Sequence, residues 1–406
     1  MVKLAAIFTH PVQYFAPLLR ALAARPDVDL TVYFCSRRGT VPTLDPGFLK
    51  KVVWDVPLLE GYRYKFLPRL FGVSRDDWTF GPINPAIVRE LLHESYDAVL
   101  VHGYSIPTNW LAMVGCWITR TPIFFHGETH LQSSKAIHRK IVKEILLRIL
   151  LRNIAAFLYI GSNSKKFYSH YEVPESRLFF TPYTVDNAFF VRYAEKLRPQ
   201  RNRIRAEWGI HDDRPVVLFA GKLIPKKQPL LLLEAYRRLR HRFTCALLFA
   251  GDGPLRGTLE QRIAQQRIPD VRITGFLNQT ELPCAYTAAD VLVLPSAEEP
   301  WGLVVNEAMN FSLPIVVSDR VGCGMDLVRQ GENGYVFLHH SADQLAHSLA
   351  ELIVHPERRE AFGRSSLEII KGWDIAHTVE GILEALRRVK GINDRVELDE
   401  LRVGGM

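Results

Sequence analysis

Short apolar runs alternate with helix-length amphipathic segments along most of the chain. LAAIFT, LTVYFC, AVLVHG, PIFFHG and AFLYIGS mark the first half, and VVLFAGKL, CALLFAGDG, VRITGF, VLVLPS, PIVVS and GYVFL the second. These runs are rich in Val, Ile, Leu and Phe and lack a polar residue at every second place, the pattern of strands buried on both faces of a parallel sheet. Strands and helices taking turns predict doubly wound α/β units. At 406 residues the chain exceeds what a single core usually supports, so two such domains are expected. We place them at 1–187 and 188–372, with a charged connection over 192–214. A last helix, WDIAHTVEGILEALRRV, opens the region 373–406, crossing back to the first domain before a loosely ordered polar tail.

In such sheets ligands bind where the carboxyl ends of the strands meet a rim, and candidate chemistry collects at these ends. SAEEPWGLVVNEAMNFSLP follows the strand ADVLVLPS, so Glu299 falls in a strand-to-helix loop and Glu307 just inside the helix. Two carboxylates set this way suit the hydroxyls of a sugar and a ribose. The plainer alternative is a solvated acid before a turn and an acid complementing a helix dipole. Gly221-Lys222 closes another strand, and Lys227 precedes Gln228-Pro229 at a helix start. Two ammonium groups beside a helix N-terminus suit a diphosphate. Asp252, in the turn Gly251-Asp252-Gly253-Pro254, is a weaker candidate. In the first half, His10, His102 and His126 end three strand runs and converge on one rim as candidate hydrogen-bond donors, each also open to a structural role.

Charge and cysteine usage narrow the picture. A formal net charge of +8 suits an anionic partner without choosing one. The five cysteines are scattered, with no C-x-x-C pair, which argues against a disulfide scaffold or zinc site and for a reducing compartment. No apolar run approaches the length of a membrane span, and the N-terminus is read as a first strand. Residues 135–159 read as a helix with Ile137, Ile141, Ile145 and Ile149 on one side and Lys135, Arg139, Lys140, Lys143, Arg148 and Arg152 interleaved. Such a helix either lies on an anionic membrane surface or packs on the sheet with a solvated basic face. The irregular stretch 42–85 carries Trp54, Tyr62, Tyr64, Phe66, Phe71, Trp78 and Phe80, rings expected to cap the sheet edge rather than to meet an acceptor.

The string EPWGLVVNEAM resembles the E-x7-E motif of family 4 of the retaining glycosyltransferases with GT-B architecture. The Lys222 and Lys227 spacing is similar to that family's basic pair, FFHG to its segment beside the transferred sugar, and TPYTVDNAFF to its interdomain motif. The resemblance covers residues 4–389 and is more specific in the second half. It implies two Rossmann-like domains facing a deep cleft, with the acceptor on the first and a nucleoside-diphosphate sugar on the second. Lys222 and Lys227 would hold the diphosphate, Glu299 the sugar hydroxyls, and Glu307 the ribose. Backbone at Gly302 and Leu303 would meet sugar or phosphate, and Gly275 and Phe276 the base. His126, Glu299 and Lys227 are the implied catalytic set, and His10, Gln13, Tyr14, His102 and Glu128 the acceptor and first-loop candidates.

Transfer would retain anomeric configuration and need neither metal nor cofactor, with a UDP- or GDP-linked donor expected ahead of an ADP-linked one. A glycan or polyprenyl-linked acceptor, a cytoplasmic location at the inner face of the membrane, a role in surface polysaccharide or glycolipid synthesis, and no nucleic-acid partner complete the expectation. Three departures stand out: His10-Pro11-Val12-Gln13-Tyr14 where the family's first loop is often glycine-rich, Ser312 where glycine is common, and Asp326 where glutamate is common. Asp27-Val28-Asp29 mimics a metal motif of another fold in the wrong context. A sugar-nucleotide epimerase, a phosphorylase and a non-catalytic scaffold share the architecture, and product analysis with and without acceptor separates them.

Overall fold

The computed structural model describes residues 1–70, 81–129, 147–148 and 150–403, with side chains through 391. In chain order the strands are β1 (Val2–Phe8), β2 (Val28–Phe34), β3 (Thr43–Asp45), β4 (Lys50–Val52), β5 (Arg63–Phe66), β6 (Ala98–His102), β7 (Ile123–His126), β8 (Ala156–Tyr159), β9 (Leu178–Phe180), β10 (Val216–Ala220), β11 (Ala246–Ala250), β12 (Val271–Gly275), β13 (Val291–Leu294), β14 (Ile315–Ser318) and β15 (Gly334–Phe337). The chain forms two compact units that interleave in sequence: 1–41, 57–182 and 375–406 make the first, and 42–56 with 183–374 the second.

The first unit is built on a parallel sheet ordered β5-β2-β1-β6-β7-β8-β9. The second has a parallel sheet ordered β12-β11-β10-β13-β14-β15. Central strands such as β10 and β11 are buried along their whole length, as their unbroken apolar runs require when helices cover both faces. Strand order reverses between β1 and β6 in one sheet and between β10 and β13 in the other, and each reversal opens a crevice at the carboxyl ends. All eleven apolar runs named above become strands.

The structure departs from the expected organisation in four places. Residues 42–56, expected in the first domain, carry the antiparallel β3-β4 hairpin and belong to the second unit. The aromatic stretch therefore divides. Tyr62, Tyr64 and Phe66 pack at Phe34 on the β2-β5 edge, whereas Phe48 and Trp54 pack around Phe276, and Phe71, Trp78 and Phe80 lie outside the described residues. The helix expected over 135–159 cannot reach Tyr159, because Ala156–Tyr159 is β8, a strand paired on both sides. Of its residues, 135–146 and Ile149 lie outside the described set, while Leu147, Leu150 and Leu151 are buried in the core. The last helix spans Ile375–Val403, running on through residues expected to be loosely ordered; their many good helix formers favour continuation. Gly381 lets that helix approach β9, since a Cβ there would stand 2.0 Å from the Phe180 carbonyl oxygen. Thr378 donates to the Pro182 carbonyl at 2.7 Å.

Among the described residues no helix is long and apolar enough to cross a membrane. Cys35, Cys116, Cys245, Cys284 and Cys323 are all free thiols.

Candidate active site

The site in the second unit grows from the two strands that flank its order reversal. After β10 the chain turns through Gly221, at φ +143°, into the short turn Pro225–Lys227, and Pro229 opens the helix that follows. After β13 it runs through Ser296 and Glu299 to the helix Leu303–Met309. The two loops are tied together, Ala297 N–H donating to the Lys226 carbonyl at 2.7 Å. Lys227 and Glu299 meet in an ion pair, with side chains only 14% and 12% exposed. The Ser296 hydroxyl donates to the same Glu299 oxygen at 3.3 Å, and Gly322 N–H donates to the Glu299 carbonyl at 2.9 Å. A carboxylate fixed from both its backbone and its side chain loses little further freedom when a ligand engages it.

Buried contacts fix the helix behind this loop. Trp301 donates from Nε1 to Asn306 Oδ1 at 3.0 Å, and Asn306 Nδ2 donates to the Tyr183 carbonyl at 3.0 Å. Gly302 adopts φ +102°, and a Cβ there would approach Leu294 Cδ2 to 2.7 Å, so the turn needs glycine. Glu307 is fully enclosed, and the Tyr286 hydroxyl donates to its Oε2 at 2.5 Å.

Lys222 points to a partner that its sequence neighbourhood does not contain. Its Nζ lies 2.9 Å from the Asp45 carboxylate on the β3-β4 hairpin and 5.0 Å from the centre of the Phe48 ring. Phe276, just past Gly275 at φ +81°, has Phe48 edge-on at 4.8 Å and Trp54 at 6.4 Å. Asp252 serves its own turn, accepting from Gly253 N–H at 2.9 Å and pairing with Arg256 at 3.3 Å. Asp45 and Tyr286 were not singled out from the sequence. The string Asp45-Pro46-Gly47 is a turn signal, but it names no partner.

In the first unit, His102 and His126 stand opposite one another at the ends of β6 and β7. Their Nδ1 atoms are 2.8 Å apart, so one ring donates and the other accepts. Burial lowers His102 to about 4, and burial together with the neighbouring His102 holds His126 well below the usual histidine value. The pair is therefore neutral near pH 7. Phe15 packs edge-on to both rings, at 4.7 and 6.0 Å. His10, Gln13 and Tyr14 lie between β1 and the helix Phe15–Ala23, with Gln13 buried, and Glu128 is exposed beyond β7. Asp27 and Asp29 are held in ion pairs with Arg25 and Arg63 at 3.2 and 3.0 Å. Among the described residues no cluster of three or more His, Cys, Asp or Glu side chains could hold a metal ion.

Residues 200–368, which carry the Lys222, Lys227, Glu299 and Glu307 loops, match the family model described as Glycosyl transferases group 1. This stretch is therefore similar to the group 1 glycosyltransferases. It is similar to alpha-D-kanosaminyltransferase of Streptomyces kanamyceticus, 32% identical over 169 residues that cover 41% of this chain and 43% of that protein. A D-inositol 3-phosphate glycosyltransferase of Nocardia farcinica is 31% identical over 201 residues, covering 47% and 44%. The chain thus spans less than half the length of these curated relatives. The architecture extends further than the sequence likeness. Anabaena HepE in complex with UDP superposes with a TM-score of 0.73 at 17% identity, over 95% of this chain and 100% of that one. The fold is GT-B.

Proposed function

We propose that the protein is a retaining, metal-independent glycosyltransferase that moves a sugar from a nucleoside-diphosphate donor to a glycan or polyprenyl-linked acceptor. The observation that carries this reading is the Lys227–Glu299 pair in the crevice between β10 and β13. Lys222 and Lys227 neutralise the diphosphate as it departs, doing with fixed ammonium groups the electrostatic work of leaving-group stabilisation. Glu299 accepts hydrogen bonds from the sugar, Glu307 from the ribose once the packing that encloses its carboxylate opens, and Gly302 and Leu303 present backbone to sugar or phosphate. Gly275 and Phe276 border the base. The bond from the anomeric carbon to the leaving phosphate oxygen breaks as the acceptor oxygen attacks on the same face, and the acceptor proton passes to the departing phosphate. No cofactor enters the scheme.

His126, backed by His102, presents a neutral imidazole to the transferred sugar, and His10, Gln13, Tyr14 and Glu128 meet the acceptor. UDP is the favoured nucleotide because HepE was solved with UDP. Thermal-shift titration with UDP, GDP and ADP tests the donor, followed by NMR of the product anomer in the presence of EDTA. Stabilisation by UDP and a retained anomer are expected; no response to any nucleotide, or an inverted product, rejects the scheme. Action at the inner face of an anionic membrane is part of the proposal, and failure of the protein to co-sediment with anionic liposomes counts against it.

A further inference from the structure

The β3-β4 hairpin lies on the residues assigned above to the donor. Asp45 pairs with Lys222 at 2.9 Å, and the Phe48 ring covers the same ammonium group. The hairpin tip presses on the turns that end β10 and β11. A Cβ on Gly47 would stand 2.5 Å from Lys222 Cδ, and one on Gly253 would stand 2.7 Å from the Gly47 carbonyl oxygen. The carboxylate is prepared for this contact by its own loop, since Asp45 Oδ1 accepts from Gly47 N–H at 2.8 Å and Phe48 N–H at 3.2 Å. The hairpin therefore keeps its shape without Lys222. Farther along, its attachments are exposed: Asn278 Nδ2 to the Val53 carbonyl at 2.8 Å, and Thr280 N–H to Asp55 at 3.2 Å. Solvent-exposed hydrogen bonds of this kind open at small cost.

We infer that residues 42–56 form a strap in which Asp45 stands in for a donor phosphate on Lys222 and is displaced when the donor diphosphate binds. The inference rests on the nucleotide-sugar reading above. An anion already seated on a phosphate-binding lysine competes with the ligand, and removing its charge tightens binding. An ion pair whose lysine stays partly in solvent is worth little, so the expected gain is about threefold to fivefold.

The test compares UDP affinity by calorimetry in the wild type, Asp45→Asn and Lys222→Ala. Asparagine can still accept from Gly47 and Phe48, so the turn persists while the charge is lost. Tryptic cleavage after Lys50 and Lys51 is followed in the wild type with and without UDP, which keeps the test valid should the variant fold poorly. Tighter UDP binding by Asp45→Asn, weaker binding by Lys222→Ala and faster cleavage with UDP support the strap. Unchanged or weaker binding by Asp45→Asn, or protection of Lys50 and Lys51 by UDP, overturns it and leaves the donor reading intact. A wild type that binds no nucleotide overturns both, and that failure is recognised because it precedes any comparison of variants.

Discussion

Lys227 and Glu299 stand 72 positions apart in the chain and meet as an ion pair with little solvent around either side chain. Their loops leave adjacent parallel strands at the point where strand order reverses. The pairing stores two opposite charges where a polyhydroxylated, doubly charged ligand would divide them. Glu299→Gln is expected to lower kcat by about 10²-fold to 10³-fold, the range seen when one electrostatic contact to a transition state is removed. A Lys227→Ala, Glu299→Gln double-variant cycle on kcat should show strong coupling; additive losses would separate the two residues functionally.

Tyr286 and Glu307 form the second such relationship. Removing the phenolic donor leaves one oxygen of an enclosed carboxylate without that hydrogen bond, at a cost of about 1–3 kcal/mol. Tyr286→Phe should therefore lower the unfolding free energy by that amount and weaken UDP binding, as urea denaturation and calorimetry would record. Full stability with unaltered UDP affinity would show that the hydroxyl contributes nothing to the site.

Gly302 sits at φ +102° beside Leu294. Alanine there meets both an unfavourable backbone conformation and a side-chain clash, costing about 1–3 kcal/mol. Gly302→Ala should fold less stably and lose more activity than stability, because the strain falls on the turn between Glu299 and Glu307. A melting temperature within a degree of the wild type would refute the argument.

The histidine pair sets a pH dependence of stability. His102 is lowered in the folded state to about 4 and His126 is lowered too, whereas an unfolded histidine titrates near 6.5. Between those values the unfolded chain binds more protons than the native one, so stability is complete above about pH 6.5 and is lost as pH falls toward 4. Unfolding free energy should drop by roughly 3 kcal/mol or more across that window, and a His102→Asn, His126→Asn variant should flatten the slope. An equal slope in both proteins would assign the effect elsewhere.

Asp290 anchors the start of the second sheet, accepting from Arg201 at 2.7 Å, from Arg205 at 2.5 Å and from Val216 N–H at 2.8 Å. With Arg205 buried, Asp290→Ala leaves a guanidinium without its carboxylate, a loss of about 3–5 kcal/mol when such a pair is broken from one side. Chemical denaturation should show this fall, and a change below about 1 kcal/mol would mark the network as dispensable.

Much of the fold was legible because its signal is local. A strand buried on both faces must be apolar throughout, and VVLFAGKL, CALLFAGDG and AVLVHG satisfy that rule wherever they lie in the chain. The candidate loops were placed at strand ends because parallel strands bring their carboxyl ends to one rim, and the resemblance of EPWGLVVNEAM and of the Lys222–Lys227 spacing to a known family joined them into one site; of these side chains, Lys227 and Glu299 meet in the structure. The edge strand Arg63–Phe66 was harder, since only one neighbour pairs with it and polar residues are tolerated there.

The sequence by itself determined the class of fold, the strand ends at which the candidate residues lie and the residue types available there. Only the tertiary structure decided which side chains meet. Asp45 reaches Lys222 across 177 positions, and His102 faces His126 because β6 and β7 are neighbours in matched register. Periodicity encodes whether a segment is buried, but strand order and register follow from how all segments pack at once, and pairings across the chain are settled at that level.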